Sequence, residues 1–176
     1  MSVAGFSLWL LPEASTQAEL TALVQELAPQ FGQPAFIPHV TVQGDLLLDL
    51  ATLTDHARAL AASTDVQNWP VDTVESTENF FRALYLRFAD SPAFAQLLHQ
   101  SERLTGTATG LSPYPHLSLA YGALPSESPL LARLTARFTG TAIRFDRLAI
   151  CRSSKDIPIA DWDCVVTLPL KPTRPA

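Results

Sequence analysis

The pentapeptide PHVTV, Pro38 to Val42, returns 77 positions later as PHLSL, Pro115 to Leu119. Each copy sets a proline, a histidine, an apolar residue, a hydroxyl residue and a second apolar residue in the same order. Strict alternation of polar and apolar positions reads as a strand with one face in a core. Successive strand side chains point to opposite faces, so His39 and Thr41 share one face while Val40 and Val42 share the other. His116 and Ser118 repeat the arrangement. A fold that brings the two strands together surrounds one hollow with two imidazoles and two hydroxyls.

The rest of the chain supplies a scaffold for such a hollow. FSLWLLP, Phe6 to Pro12, reads as a short buried strand. Thr16 and Glu19 have the spacing of a capping box. Leu20, Leu23, Val24, Leu27 and Phe31 follow at helical period until Gly32. After the first motif, Asp49 is placed to cap a helix from about Leu50 to Ala62. VDTVES and FFRALYLRF read as two strands joined through Thr77 to Asn79. Ser91 and Pro92 open a third helix, with Phe94, Leu97, Leu98 and Leu104 on one face. TGTATGLSP, residues 105 to 113, is a loop and a candidate mobile flap. Beyond the second motif, Ser128 and Pro129 start a fourth helix, TAIRFDRLAICR and WDCVVTLPL are strands, and the tail KPTRPA is expected to be loose.

The element order is βαβαββα in the first part and βαββ in the second, with one pentapeptide in each. This implies an α+β fold. The 176 residues suit a single domain, 1–176, built of two similar lobes that have diverged from an internal duplication. A formal net charge of −5 argues against a protein that tracks a nucleic-acid backbone, which calls for a basic surface. A small ligand and a monomer are expected instead. The apolar stretch Phe6 to Leu11 is too short for a signal segment and lacks basic residues before it, and no stretch reads as membrane-spanning. Cys151 and Cys164 have neither CxxC nor zinc-ligand spacing. Reduced thiols in a cytoplasmic protein are the expectation.

Two histidines and two hydroxyls suit hydrolysis of a phosphodiester. A neutral imidazole takes a proton from the attacking water, and a protonated one hands a proton to the departing oxygen; an ordinary pKa near ~6.5 lets both forms exist close to neutrality. Thr41 and Ser118 can donate to the non-bridging oxygens, where charge grows as phosphorus becomes five-coordinate. A strained cyclic phosphate suits the site because its leaving oxygen is already held in place. Neither motif offers a carboxylate or thiolate to complete a zinc site, so no metal or cofactor is expected. His56 and His99 lie in helices outside this context. Arg82, Arg87 and Arg147 are candidates for local positive potential, and Trp9 and Phe81 for base stacking against their commoner use in a core.

HVTV and HLSL resemble the paired H-x-[ST]-x motifs of the 2H phosphoesterase superfamily. That resemblance implies a bilobal α+β fold in which two antiparallel sheets line a central cleft, with helices on the outside. FSLWLLPE, the FFRALYL strand, YPHLSLAYG, FDRLAIC and Trp162 are similar to one branch, the cyclic phosphodiesterases that open ADP-ribose 1″,2″-cyclic phosphate and nucleoside 2′,3′-cyclic phosphates. These stretches are spread over most of residues 6 to 168. By position the resemblance makes His39 and His116 catalytic, with His39 as proton donor and His116 as base. It makes Thr41 and Ser118 phosphate-binding and puts Tyr121 near the attacking water. Plant members carry extra disulfides, a pattern that two cysteines cannot reproduce. The alternatives are an enzyme acting on RNA ends that carry a 2′,3′-cyclic phosphate, and a nucleotide-binding module that has lost the reaction.

Overall fold

The seven side chains of FSLWLLP are all buried, and the strand they form, β1 (Phe6–Pro12), is covered on both faces and paired on both edges. Phe6, Leu8 and Leu10 enter the main core, while Trp9 and Leu11 join a second apolar cluster with Ala149 and Cys151. The computed structural model describes residues 5–125 and 128–173. After β1 come α1 (Ala14–Phe31), β2 (Val40–Leu46), α2 (Leu50–Ser63), β3 (Gln67–Glu75), β4 (Leu84–Phe88), α3 (Pro92–Thr105), β5 (His116–Ala120), α4 (Leu130–Phe138), β6 (Ala142–Arg152) and β7 (Asp163–Pro169). The α+β class and the element order are those expected.

The strands form one antiparallel ladder in the order β1-β2-β5-β4-β3-β6-β7, and an added β1–β6 pairing closes the first six into a ring. The ring has two arms. One holds β2, β1, β7 and the second half of β6; the other holds β5, β4, β3 and the start of β6, whose residues Ala142 to Phe145 pair with β3. At the opposite seam β2 meets β5 through the pair Val40 and Leu117. Such a short seam lets the arms splay, and the splay is the cleft. Helices cover the outer faces, α1 against β5 and β1, α2 against β6 and β7, α3 against β2, and α4 against β3.

Several local features differ from the sequence reading. α1 begins at Ala14 with no side-chain cap, because the Glu13 amide donates to the Arg144 carbonyl at 2.8 Å and the chain turns straight from the β1–β6 ladder into the helix. Thr16 therefore lies inside the first turn rather than at its cap. Gly32, at φ 63°, ends α1 as expected. Asp49 accepts from the Thr52 amide at 3.0 Å and Ser91 from the Phe94 amide at 3.2 Å, as their caps require. Phe80 to Arg82 form a 3-10 turn held by the Asn79 side chain, so the strand expected from Phe80 starts only at Leu84.

The expected flap is tied down. Gln43, fully buried on β2, donates to the carbonyls of Thr107 and Thr109 at 2.8 Å each and accepts from Ser101 and Thr105 at 2.7 and 3.1 Å. One position further on, the Gly44 amide donates to the Gly110 carbonyl at 2.8 Å. A Cβ on Gly110, where φ is 76°, would stand 1.8 Å from the Gly44 oxygen, so only glycine fits that crossing.

The cysteines also depart from expectation. Cys151 and Cys164 are register partners across β6 and β7 and form a disulfide. Their spacing in the sequence hides this, because the strand register alone sets them opposite each other. No helix among the described residues is long and apolar enough to cross a membrane. The tail expected to be loose is described only as far as residue 173.

Candidate active site

The Val40–Leu117 pair decides how the two motifs face each other. In an antiparallel pair, stepping one residue either way from that rung sets His39 opposite Ser118 and Thr41 opposite His116. The apolar partners Val40, Val42, Leu117 and Leu119 are fully buried, which turns the four polar side chains to the opposite face. Each histidine is thus the diagonal neighbour of the other, a relation that separates residues by about 7–8 Å, with the Cβ atoms somewhat closer. All four line one cavity of about 360 Å³ between the arms, together with Tyr121.

The prolines have a role the motif did not disclose. Each histidine donates from Nδ1 to the carbonyl two residues back: His39 to Ile37 at 2.6 Å and His116 to Tyr114 at 3.0 Å. A carbonyl only accepts, so Nδ1 carries the proton and Nε2 is left free in both rings. Pro38 and Pro115 lock φ and hold the residue before them extended, which aims that carbonyl at the ring.

The surroundings of the two imidazoles differ. His39, 6% exposed, lies flat on Trp9 with ring centroids 3.5 Å apart and planes 7° from parallel, and Phe36 meets it edge-on. Burial pulls its pKa down to about 3; the Ile37 bond opposes this and the His116 charge adds to it. Trp9 is therefore a platform for His39, not for a base. His116 is half-buried, with Tyr85 and Tyr114 edge-on to its ring. Burial lowers its pKa as well, the Tyr114 bond raises it, Arg82 and Arg87 lower it, and Glu75 raises it.

The hydroxyls are not equivalent either. Thr41 is half-exposed at the cavity wall, whereas the Ser118 hydroxyl donates to the Phe81 carbonyl at 2.9 Å. An anion must draw that proton away before Ser118 can grip it. Tyr121, buried and stacked on Phe36 at 3.9 Å, has its hydroxyl pKa pushed up by burial and stays protonated, so it keeps a proton to donate.

Of the three candidate arginines, Arg82 reaches the cavity. Arg87 lies over the Tyr114 ring, and Arg147 is held by Asp146 and the Pro12 carbonyl. Lys155, Ser153 and Ser154 also line the cavity and were not foreseen; they sit between β6 and β7 with no motif to mark them. Trp162, from the same connection, faces Phe81 at the cavity wall with ring centroids 6.1 Å apart and planes within 20°. His56 and His99 lie on α2 and α3, away from the cavity.

Known proteins resemble this chain in sequence and in fold. The sequence profile of the cyclic phosphodiesterase-like protein family matches residues 1–143. A cyclic phosphodiesterase of Arabidopsis thaliana is 25% identical over 173 residues, covering 95% of this chain and 96% of that protein. E. coli LigT complexed with phosphate shares the fold with a TM-score of 0.61 at 14% identity, over 94% of this chain and 96% of that one. TT0787 of Thermus thermophilus does so with a TM-score of 0.62 at 14% identity, over 97% and 100%. E. coli LigT has also been crystallised with 3′-AMP, NADP+ and ATP.

Proposed function

The chain belongs to the cyclic phosphodiesterase-like family of 2H phosphoesterases, and from that premise we propose that its cleft hydrolyses the cyclic phosphodiester of a small nucleotide, ADP-ribose 1″,2″-cyclic phosphate or a nucleoside 2′,3′-cyclic phosphate. The observation that carries this reading is the Val40–Leu117 rung, which sets the two motifs side by side along one cavity. Water attacks phosphorus as His116 Nε2 takes its proton. The P–O bond to one ring oxygen breaks, and that oxygen receives a proton from His39 Nε2. One water is added and a phosphomonoester leaves. Thr41, Ser118 and Tyr121 donate to the oxygens on which charge accumulates.

Burial sets a condition on this cycle. His39 must be charged to act as donor, yet its own surroundings hold it neutral at pH 7. An anionic phosphate beside the ring favours the imidazolium, so substrate arrival promotes uptake of the proton that the reaction needs.

The near-parallel Phe81 and Trp162 rings offer a face for a nucleobase. The nucleotides found in E. coli LigT support a small nucleotide as ligand. Among the described residues, Arg82 and Lys155 are the arginine and lysine that line the cavity, which suits one short substrate better than a length of RNA. Metal independence, a single domain of two duplicated lobes and a monomeric state belong to the same proposal; the cytoplasmic expectation loses its premise of reduced thiols to the Cys151–Cys164 disulfide.

The test is turnover of 2′,3′-cyclic nucleotides and of ADP-ribose cyclic phosphate by the purified protein in EDTA. Replacing His39 or His116 with Ala is expected to lower the rate by about 10²–10⁴. Nucleotide binding by calorimetry without turnover of either substrate would instead identify a binding module and end the catalytic reading.

A further inference from the structure

Behind His116 lies a chain of polar groups that packing alone does not require. Tyr85 is 1% exposed, yet it keeps a hydroxyl where phenylalanine would fill the same space. A buried hydroxyl is costly unless bonded, and this one has two partners. Its direction follows from donor counting. The Glu75 carboxylate only accepts, so the Tyr85 hydroxyl donates to Glu75 Oε2 at 2.5 Å and its single proton is used. The 3.1 Å contact between the Tyr85 and Tyr114 hydroxyls is therefore donated by Tyr114. Tyr114 in turn accepts from Arg82 Nη1 at 3.0 Å.

The order is Arg82 to Tyr114 to Tyr85 to Glu75, from a cation at the cavity to a carboxylate behind it. Thr73 donates to the other Glu75 oxygen at 2.8 Å, and Arg87 covers the Tyr114 ring at 3.8 Å from its centroid. Strand register holds the set together, with Glu75 beside Tyr85, Tyr85 beside Ser118, and Arg87 beside His116.

We infer that Arg82, Tyr114, Tyr85 and Glu75 form a directional relay that positions the His116 imidazole, and that its carboxylate end, Glu75, stabilises the charge the ring gains on taking a proton from water. The inference rests on the hydrolytic reading for its catalytic consequence, though not for its structural one. Tyr114 contacts the ring twice: its carbonyl accepts from Nδ1, and its phenol meets the ring edge-on, as that of Tyr85 also does. Its hydroxyl links the cavity arginine through Tyr85 to the carboxylate. As His116 becomes an imidazolium, Nδ1–H stays on the Tyr114 carbonyl and the Glu75 charge lies on the favourable side. Arg82 and Arg87 oppose that charge, as does a protonated His39. A substrate phosphate that engages Arg82 offsets part of this opposition. His39 has no counterpart, since its ring is enclosed by Trp9 and Phe36. Glu75, Tyr85 and Tyr114 are thus positioning residues.

The experiment follows both histidine rings by NMR across pH in the ligand-free protein. Glu75→Gln is expected to lower the His116 midpoint and leave His39 in place, while Arg82→Gln is expected to raise it. Opposite signs separate a relay from a loosened fold, which would move both variants the same way. Glu75→Gln, and Tyr85→Phe where it folds, are expected to lower kcat by about tenfold, a small part of the loss from removing the base itself. The KM should change little, and the lower limb of the pH profile should follow the His116 midpoint. A His116 midpoint unmoved in Glu75→Gln overturns the relay. Midpoints that move in a protein that turns over neither cyclic phosphate leave the relay standing and remove the hydrolytic reading alone.

Discussion

The buried His39 ring links stability to pH in a way that can be measured without substrate. In the unfolded chain a histidine takes up its proton near 6.5, while in the folded cleft burial delays this to about 3. Between those values the unfolded state binds the extra proton, so stability falls as pH falls, and the contribution is fully restored only above about 6.5. At pH 4.5 the solution lies about two units below the unfolded value and still above the folded one, and each unit of that descent costs about 1.36 kcal/mol. The expected loss from this one residue is therefore about 3 kcal/mol between pH 7.5 and 4.5. Urea unfolding followed by tryptophan fluorescence reads it directly, since Trp9 lies against the ring. The control is His39→Asn, whose amide can still donate to the Ile37 carbonyl but does not titrate. Carboxylates and His116 are common to both proteins and cancel, so the stability of the native protein relative to the variant should drop by about 3 kcal/mol over that range. A difference that stays flat from pH 7.5 to 4.5 would refute the burial argument and with it the claim that substrate must promote charging of His39.

Two further outcomes follow from the fold. Gln43→Leu removes four hydrogen bonds that hold residues 101–109 to β2; the expected cost is about 2–4 kcal/mol, with faster amide exchange in residues 107–112, and unchanged exchange there would show that the loop is held by something else. Reduction of Cys151–Cys164 opens a link spanning 13 positions, expected to cost about 3 kcal/mol in unfolding free energy; it should also raise KM, because the freed segment carries Lys155 and Trp162 to the cavity wall. A KM insensitive to reducing agent would detach that segment from substrate binding.

Much of the molecule is legible from short stretches because it depends on short-range rules. Alternation in PHVTV and PHLSL fixes which side chains share a face, Asp49, Ser91 and Gly32 mark helix ends by local hydrogen bonding, and the element order emerges from periodicity alone. Where local rules met a tertiary contact, the contact won: Glu13 joins a ladder to β6 and starts α1 early, and Gln43 ties down a loop whose composition suggests freedom. The amino-acid order by itself determined the four polar groups that line the cavity and the faces they occupy. Only the folded chain decided that Val40 meets Leu117, that Trp9 lies on His39 while a charged relay backs His116, and that Cys151 faces Cys164. Each of these is a pairing between segments far apart in sequence, set by strand register and packing around a common core, and no window of neighbouring residues contains both partners.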